Sequence, residues 1–323
     1  MVNRVRWGIV ATGGIADVVT ADLLRVAEAE VLAVSSRQLP RALEFAAKHG
    51  IPRAYGGTAE LLADPDVEVV YVATPHAQHY EVTRAALEAG KHVLCEKPIT
   101  LDLAGARDLV DLARERGLFL MEAMWTRFNP LIRELRGLVA EGVVGEVRSV
   151  RADFGFVHEF LPQHRLWNLA LGGGSLLDLG VYPVAFAQML LGEPAVVHAH
   201  GSLAPTGVDA EAALLLGYPD GAHALLTSTL TTAPTASATV YGTKGRIDVP
   251  DRMYNPDRIV VNGEERRAEI EGSGYTPQLR EVVARVRAGD TESPEMSLED
   301  TLAVMRTMTT ALDQLGVRYP VLR

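Results

Sequence analysis

The sequence predicts two unlike domains: an α/β unit built on a parallel sheet over residues 1–124 and, over 125–296, an α+β unit with an open-faced, mostly antiparallel sheet. Three observations carry this reading. At 323 residues the chain exceeds what one ordinary core holds. Its first third alternates strand-like and helix-like segments, the pattern of a parallel sheet covered by helices on both faces. Beyond Trp125 the strands lengthen, and turn signals such as "YPDG" and "GTKG" separate them, as antiparallel neighbours require.

In chain order, strand patterns fall at 5–10, 31–35, 67–73, 93–95 and 118–122, and helical patterns at 15–29, 40–49, 58–63, 79–89 and 103–115. A helix over 130–141 opens the second unit. Strands follow at 147–155, 195–202, 212–218, 223–230, 236–241 and 259–261. Two helices, 277–288 and 297–315, close the chain, the last opened by the capping-box pattern Ser297-Leu298-Glu299-Asp300. The segment 297–323 is expected to pack back on the first domain. There is no internal repeat and no low-complexity linker.

Composition narrows the partners. Hydrophobic residues make up 48% and charged residues 22%, the balance of a globular protein. A net charge of -10 argues against nucleic acid and against anionic membrane, since either calls for a basic surface. No apolar run is read as long enough to span a bilayer, and the first residues enter a strand pattern without a signal-peptide h-region, so the expected location is the cytoplasm. The lone Cys95 leaves no internal disulfide and no multi-cysteine metal site, which fits a reducing compartment. Its place in an apolar strand suits a buried structural thiol.

Residues 8–16, "GIVATGGIA", join the first strand to the first helix, where a dinucleotide fold places its phosphate turn. Read against G-x-G-x-x-G/A, the register is Ala11-Thr12-Gly13-Gly14-Ile15-Ala16, with alanine in place of the first glycine. The second strand ends in Ser35-Ser36-Arg37, with Arg41 four residues on. An NAD enzyme carries Asp or Glu there for the ribose hydroxyls, whereas an arginine fork suits a 2′-phosphate. The cofactor expected is therefore NADP, with NAD second. After the third long strand, Thr74, Pro75, His76 and His79 read as a turn and helix start beside the cofactor. No third ligand near this H-x-x-H supports a metal, and none is expected.

Two motifs remain. "HVLCEKPIT" ends a buried strand in Glu96 and Lys97 just before Pro98, at the carboxyl end of a parallel sheet, where ligands bind. A cis Lys97-Pro98 bond would aim the ammonium at the nicotinamide. "GGGSLLDLGVYPV" has three glycines that call for a closely approaching ligand, then Asp178 and Tyr182 at i and i+4 on one helical face. Pro183 either kinks that helix or opens a fresh one.

Taken together, "CEKP", "FLMEAMWTRFNP", "GGGSLLDLGVYPV" and "YGTKG" closely resemble the Gfo/Idh/MocA oxidoreductases, in the branch of dihydrodiol dehydrogenase and NADP-dependent D-xylose dehydrogenase. The resemblance runs nearly end to end. It implies a Rossmann domain, an antiparallel sheet that mediates homodimerisation, and Lys97 and Tyr182 at the family's catalytic positions. Ala11 departs from a common glycine. Tyr182 stands where many members outside this branch have histidine, which argues against inositol-type substrates.

The chemistry implied is hydride transfer between an alcohol or cyclic hemiacetal carbon and a nicotinamide, with Tyr182 removing the hydroxyl proton. Free tyrosine, at a pKa of about 10, is too weak a base, so Lys97 together with the oxidised nicotinamide is expected to lower it. Asp178 is expected to bind a second substrate hydroxyl, Trp125 to wall a substrate ring, and Trp167 to cover the nicotinamide. Specificity is assigned to the loop after Phe156, "FVHEFLPQHR". The substrate class is a sugar or polyol. An aldose resembling D-xylose, oxidised at its anomeric carbon, stands first and a trans-dihydrodiol second. A silent NADP sensor is the reading from another class, and retention of Lys97 and Tyr182 opposes it. A hydrolase fails because "GGGSLL" lacks the second glycine of G-x-S-x-G.

Overall fold

A computed structural model describes residues 4–320. The expected domain start at residue 1 and the end of the segment 297–323 lie outside the described residues. In the first domain β1 (Val5–Val10), β2 (Ala29–Ser35), β3 (Arg53–Tyr55), β4 (Val69–Val72), β5 (His92–Cys95) and β6 (Leu120–Glu122) pair in parallel in the order β3-β2-β1-β4-β5-β6. The chain reverses direction of winding between β1 and β4, so the crevice lies beyond the carboxyl ends of these two strands. Helices α1 (Gly14–Leu23), α2 (Leu39–His49), α3 (Thr58–Leu62), α4 (His79–Glu88) and α5 (Leu103–Arg116) form the crossovers. Covered on both faces, β4 is buried at every residue, which is why it reads as an unbroken apolar run.

Two expectations need correction here. Helix α1 ends at Leu23 and does not reach residue 29: Arg25 and Val26 donate to the carbonyls of Asp22 and Leu23, tightening the chain into a turn that lets Ala29 enter the sheet. The short edge strand β3 was missed, since its half-buried Arg-Ala-Tyr carries no alternation and is defined only by pairing with β2.

After α6 (Pro130–Ala140), capped by Asn129, the second sheet is formed by β7 (Val147–Gly155) and, beyond α7 (Val181–Leu191), by β8 (Val196–Leu203), β9 (Asp209–Gly217), β10 (His223–Thr229), β11 (Ala238–Gly242), β12 (Gly245–Val249), β13 (Arg258–Val261) and β14 (Glu264–Arg267). Its order is β14-β13-β12-β11-β7-β10-β9-β8, antiparallel except where β10 runs beside β7. Strands β12 and β14 also escaped the sequence reading. The first is the return arm of the "GTKG" hairpin, and the second is the exposed Glu-Glu-Arg-Arg edge, whose charges give no apolar signal. Along β9 and β10 one face is buried, through Leu214, Leu216, Ala224 and Leu226, while Leu215 and Leu225 pair across the other face and are exposed.

Helix α8 (Thr276–Ala288) packs on α1, and α9 (Leu298–Leu315), with the full capping box, packs on α5 and β6 of the first domain but also on α7 and β8 of the second. It therefore clamps both domains and does not simply fold back on one. The stretch Leu169–Leu191 is long and apolar enough to cross a membrane by composition, contrary to expectation, yet 83% of its window is buried inside the fold. The second sheet and α9 cover the apolar surface that a lipid would otherwise cover.

Candidate active site

A cleft of about 820 Å³ opens at the carboxyl ends of β1 and β4 and runs to the inner face of the second sheet. Every residue expected to touch cofactor or substrate lines it, except Trp167.

At one end lies the turn between β1 and α1. Ala11 has φ 92, in the left-handed region that favours glycine, and donates its N–H to the Ser35 carbonyl at 3.0 Å. The missing glycine is thus a real local strain, held because β1 and β2 fix the turn from both sides. Gly13 caps α1 and Gly14 opens it, both line the cleft, and a Cβ on either would meet nothing within 4 Å, so the start of the helix stands open, the setting for a bound phosphate. Ser36, Arg37 and Arg41 line the same end, and the two arginine side chains make no hydrogen bond or ion pair among the described residues. The Ser35 and Thr74 hydroxyls are buried without a partner. An open glycine cradle, two free guanidinium groups and two orphaned hydroxyls fit a dinucleotide carrying an extra phosphate.

Midway, the carboxyl ends of β4 and β5 meet. His79 lies with Nδ1 2.7 Å from the Pro98 carbonyl and Nε2 2.8 Å from that of Thr74, tying the two strand ends together. The Lys97-Pro98 bond is cis. Glu96, which lines the cleft, is buried and accepts a 2.6 Å bond from the Tyr71 hydroxyl. His76 is 2.9 Å from the Gly172 carbonyl through Nδ1, and its Nε2 is 3.5 Å from Asp178. Burial pulls His76 down to about 3 and His79 to about 4, so both rings are neutral near pH 7.

At the other end Lys97 Nζ donates to the Asp178 carbonyl at 2.7 Å and to its carboxylate at 3.3 Å, and lies 5.0 Å from the centre of the Tyr182 ring. Of the two alternatives at Pro183, the fresh helix is the one formed, and the segment before it is not α-helical. Residues Leu176–Gly180 form one π-helical turn, and α7 starts at Val181 with Pro183 in its first turn. Pro183, which has no N–H, stands five residues after Asp178, where a π-type bond would find its donor, and the Asp178 carbonyl accepts from Lys97. The triple glycine is explained differently as well. Protein, not ligand, approaches it: a Cβ on Gly172 would lie 2.8 Å from the His76 Cβ, one on Gly173 2.6 Å from the Arg165 carbonyl, and one on Gly174 would overlap Asp209. Asp209 in turn accepts from Ser175 Oγ at 2.7 Å and Leu176 N at 2.6 Å, fixing the start of the π turn.

Electrostatics correct a further expectation. Burial pushes the Tyr182 phenol far above the ordinary tyrosine range, and the Glu96 carboxylate adds to that. In the free protein Lys97, bonded to Asp178, does not bring the phenol back to the ordinary range. Burial would raise Asp178, but Lys97 and Arg165 outweigh it and hold the carboxyl well below the usual range. Tyr182 is a neutral phenol whose oxygen accepts from Trp125 Nε1 at 2.9 Å, so Trp125 orients the hydroxyl besides walling the cleft.

Trp167 is the expectation that fails outright. It packs with Leu166, Leu179 and Leu230 in a small separate core, its indole N–H donating to the Glu159 carbonyl at 2.8 Å. It anchors the loop after Phe156 and stays out of the cleft. Arg165, at the end of the specificity loop, lines the substrate end together with Phe154, Tyr254 and Tyr275, which the sequence reading missed. Tyr275 stacks on Trp125 with ring centres 4.1 Å apart, and Tyr254 on Phe154 at 4.6 Å. Phe154 was legible as an inward strand position. The two tyrosines come from loops far along the chain, and no local pattern marks them.

Comparison with known proteins bears on the family and the fold. The profile of an oxidoreductase family with an NAD-binding Rossmann fold matches residues 5–124, and that of the GFO/IDH/MocA C-terminal domain matches 132–248. The chain is 40% identical over 329 aligned positions to trans-1,2-dihydrobenzene-1,2-diol dehydrogenase of Xenopus tropicalis, covering 98% of this chain and 99% of that protein. It is also 40% identical to the Mus musculus enzyme of that name, with 98% of each covered. Among solved structures, aldose-aldose oxidoreductase from Caulobacter crescentus, complexed with glycerol, superposes with TM-score 0.86 at 26% identity over 97% of this chain and 98% of that one. KijD10, a 3-ketoreductase from Actinomadura kijaniata in complex with NADP and TDP-benzene, gives 0.84 at 30% over the same shares. With both domains matched and whole-length relatives at this identity, the chain belongs to the Gfo/Idh/MocA family of oxidoreductases.

Proposed function

We propose that the protein is an NADP-dependent dehydrogenase that moves a hydride between the nicotinamide and a ring carbon bearing a hydroxyl in a sugar or cyclic diol. One observation carries this: Lys97, Asp178 and Tyr182, from different elements, converge at the substrate end of the cleft that begins at the glycine turn. The bound cofactor supplies the hydride acceptor or donor at that junction. The Tyr182 hydroxyl, oriented by Trp125, holds the proton that leaves or reaches the substrate oxygen. Lys97, with an ammonium donor remaining beyond its two bonds to Asp178, holds that oxygen as charge develops on it. A neutral phenol is a ready proton donor for carbonyl reduction. For oxidation it must lose its proton as hydride leaves, helped by Lys97 and by the positive charge of the oxidised nicotinamide.

For the substrate, an aldose oxidised at its anomeric carbon is favoured by the charged floor of Lys97, Asp178 and Arg165, which suits several hydroxyls. A trans-dihydrodiol is favoured by the 40% identical relatives of that name and by the stacked walls of Trp125 with Tyr275 and Phe154 with Tyr254. A panel of aldoses and trans-dihydrodiols, followed by NADPH absorbance, tests both. No NADP-linked oxidation of any of them would overturn the reading.

NADP over NAD rests on the free guanidinium groups of Arg37 and Arg41. A homodimer through the outer face of the second sheet rests on the exposed cross-strand pair Leu215 and Leu225, with Val196 and Leu203 exposed at the two ends of the neighbouring edge strand. Sedimentation at micromolar concentration, showing monomer alone, would overturn that part. The buried reduced thiol of Cys95 and the acidic surface suit the cytoplasm.

A further inference from the structure

Arg165 ends the loop to which specificity is assigned, and its side chain is a cation at the substrate end of the cleft. Its backbone is fixed: Gly173 can only be glycine because the Arg165 carbonyl passes so close, and Gly174 donates to the Leu166 carbonyl at 2.9 Å. From this fixed point the half-exposed guanidinium reaches the buried Asp178 carboxylate, with Nη1 2.9 Å from Oδ1 and Nη2 3.4 Å from Oδ2. Lys97 binds the same Oδ1 at 3.3 Å. The two cations therefore share one anion.

We propose that Arg165 is a positioning residue for the Lys97 and Tyr182 pair: by neutralising Asp178 it leaves the ammonium's charge available to the substrate oxygen and the phenol. This rests on the function proposed above. The groups facing Tyr182 are Glu96 and Lys97 at the end of β5, Asp178 on the π turn, and Tyr254 and Tyr275 opposite; those facing Asp178 are Lys97, Arg165 and His76. Glu96 and Asp178 both oppose ionisation of the phenol, and neutral His76 adds no charge to counter them. Without Arg165 the carboxylate turns wholly on Lys97, and the field at Tyr182 becomes more negative. Arginine does this from a loop because its planar fork can span two carboxylate oxygens.

The test compares Arg165→Gln with Arg165→Lys. In Arg165→Gln, kcat/KM for oxidation falls roughly tenfold at neutral pH and the rising limb of the profile, set by ionisation of the phenol, moves about one pH unit higher. Arg165→Lys returns the limb toward wild type, and NADP affinity changes less than about threefold in either. The chain's lysines are Lys48, Lys91, Lys97 and Lys244. With isotope-labelled lysine in the free protein, the Lys97 ammonium resonance moves in Arg165→Gln while the other three stay. An unmoved Lys97 resonance overturns the proposal. So do two variants equally slow with the wild-type pH profile, which would make Arg165 a loop brace only. If wild type oxidises nothing in the substrate panel, the proposed function fails by itself, and the Lys97 resonance still decides whether Arg165 controls the pair.

Discussion

The two ends of the cleft are built on opposite plans. At the glycine turn the side chains stand uncommitted: Arg37 and Arg41 have no partner among the described residues, and Ser35 and Thr74 hold orphaned hydroxyls. At the hydride end nearly every polar atom is engaged. Lys97 and Arg165 hold Asp178, His79 bridges two carbonyls, Glu96 accepts from Tyr71, and Tyr182 accepts from Trp125. A site that only binds can leave its donors waiting for the ligand's own charges. A site that reacts gains by having its dipoles fixed beforehand, since reorganisation would otherwise fall on the transition state. Changes at the hydride end should therefore strike turnover, and changes at the other end should strike affinity.

The largest expected effect is at Tyr182. Tyr182→Phe removes one hydroxyl from an otherwise intact pocket, so turnover falls roughly a hundredfold to ten-thousandfold while NADP binds as in wild type. Activity within a few fold of wild type would break the comparison at its strongest point. Next comes Arg37→Ala, which removes charge-assisted bonds to a 2′-phosphate. NADP affinity drops by about tenfold to a hundredfold, NAD affinity is unchanged, and kcat at saturating cofactor is kept. Isothermal titration with both nucleotides measures it, and equal losses for the two would remove the basis for NADP preference.

A stability effect of intermediate size, read by pH, comes from a buried carboxyl outside the cleft lining. Glu122, at the end of β6, accepts from Ile99 N at 3.0 Å, but its other oxygen is buried without a partner, and burial raises its carboxyl to about 7. The folded state thus holds a proton that the unfolded chain, with an ordinary glutamate, releases near pH 4.5. This contribution is fully present below pH 4.5 and is lost as pH rises to about 7, on the order of 3 kcal/mol in all. Glu122→Gln abolishes the dependence. Its melting temperature relative to wild type should climb across that window and level off above it. A difference independent of pH would refute the assignment. His76 and His79 act in the opposite sense, their contribution being lost as pH falls below 6.5 toward 3 to 4. Comparing variant with wild type cancels them.

The smallest effect belongs to the turn. Ala11→Gly relieves a left-handed alanine worth about 1–2 kcal/mol and adds about 0.5–1 kcal/mol of glycine entropy. Melting rises by about 1–2 °C and turnover is unchanged, as calorimetry and kinetics would show. A fall in melting temperature would mean that β1 and β2 hold Ala11 without strain.

The sequence by itself determined the alternating first domain, the phosphate turn, and the places of Arg37, Lys97 and Tyr182. These are written in local signals: buried parallel strands as apolar runs, glycines at a strand-to-helix turn, a proline stopping a strand. Only the tertiary structure decided what those residues do to one another. The edge strands β3 and β14 exist through their neighbours' hydrogen bonds and not through their own side chains. The triple glycine, taken as room for a ligand, is room for the backbone of Arg165 and for Asp209. Trp167, four residues after an exposed stretch of loop, belongs to a core assembled from distant strands. The sign of the Tyr182 shift depends on burial and on the Glu96 and Asp178 carboxylates, and Asp178 is eighty-one residues from its partner Lys97 along the chain but in hydrogen-bond contact with it across the cleft. Desolvation and charge sharing are properties of three-dimensional surroundings, and no periodicity or spacing along the chain encodes them.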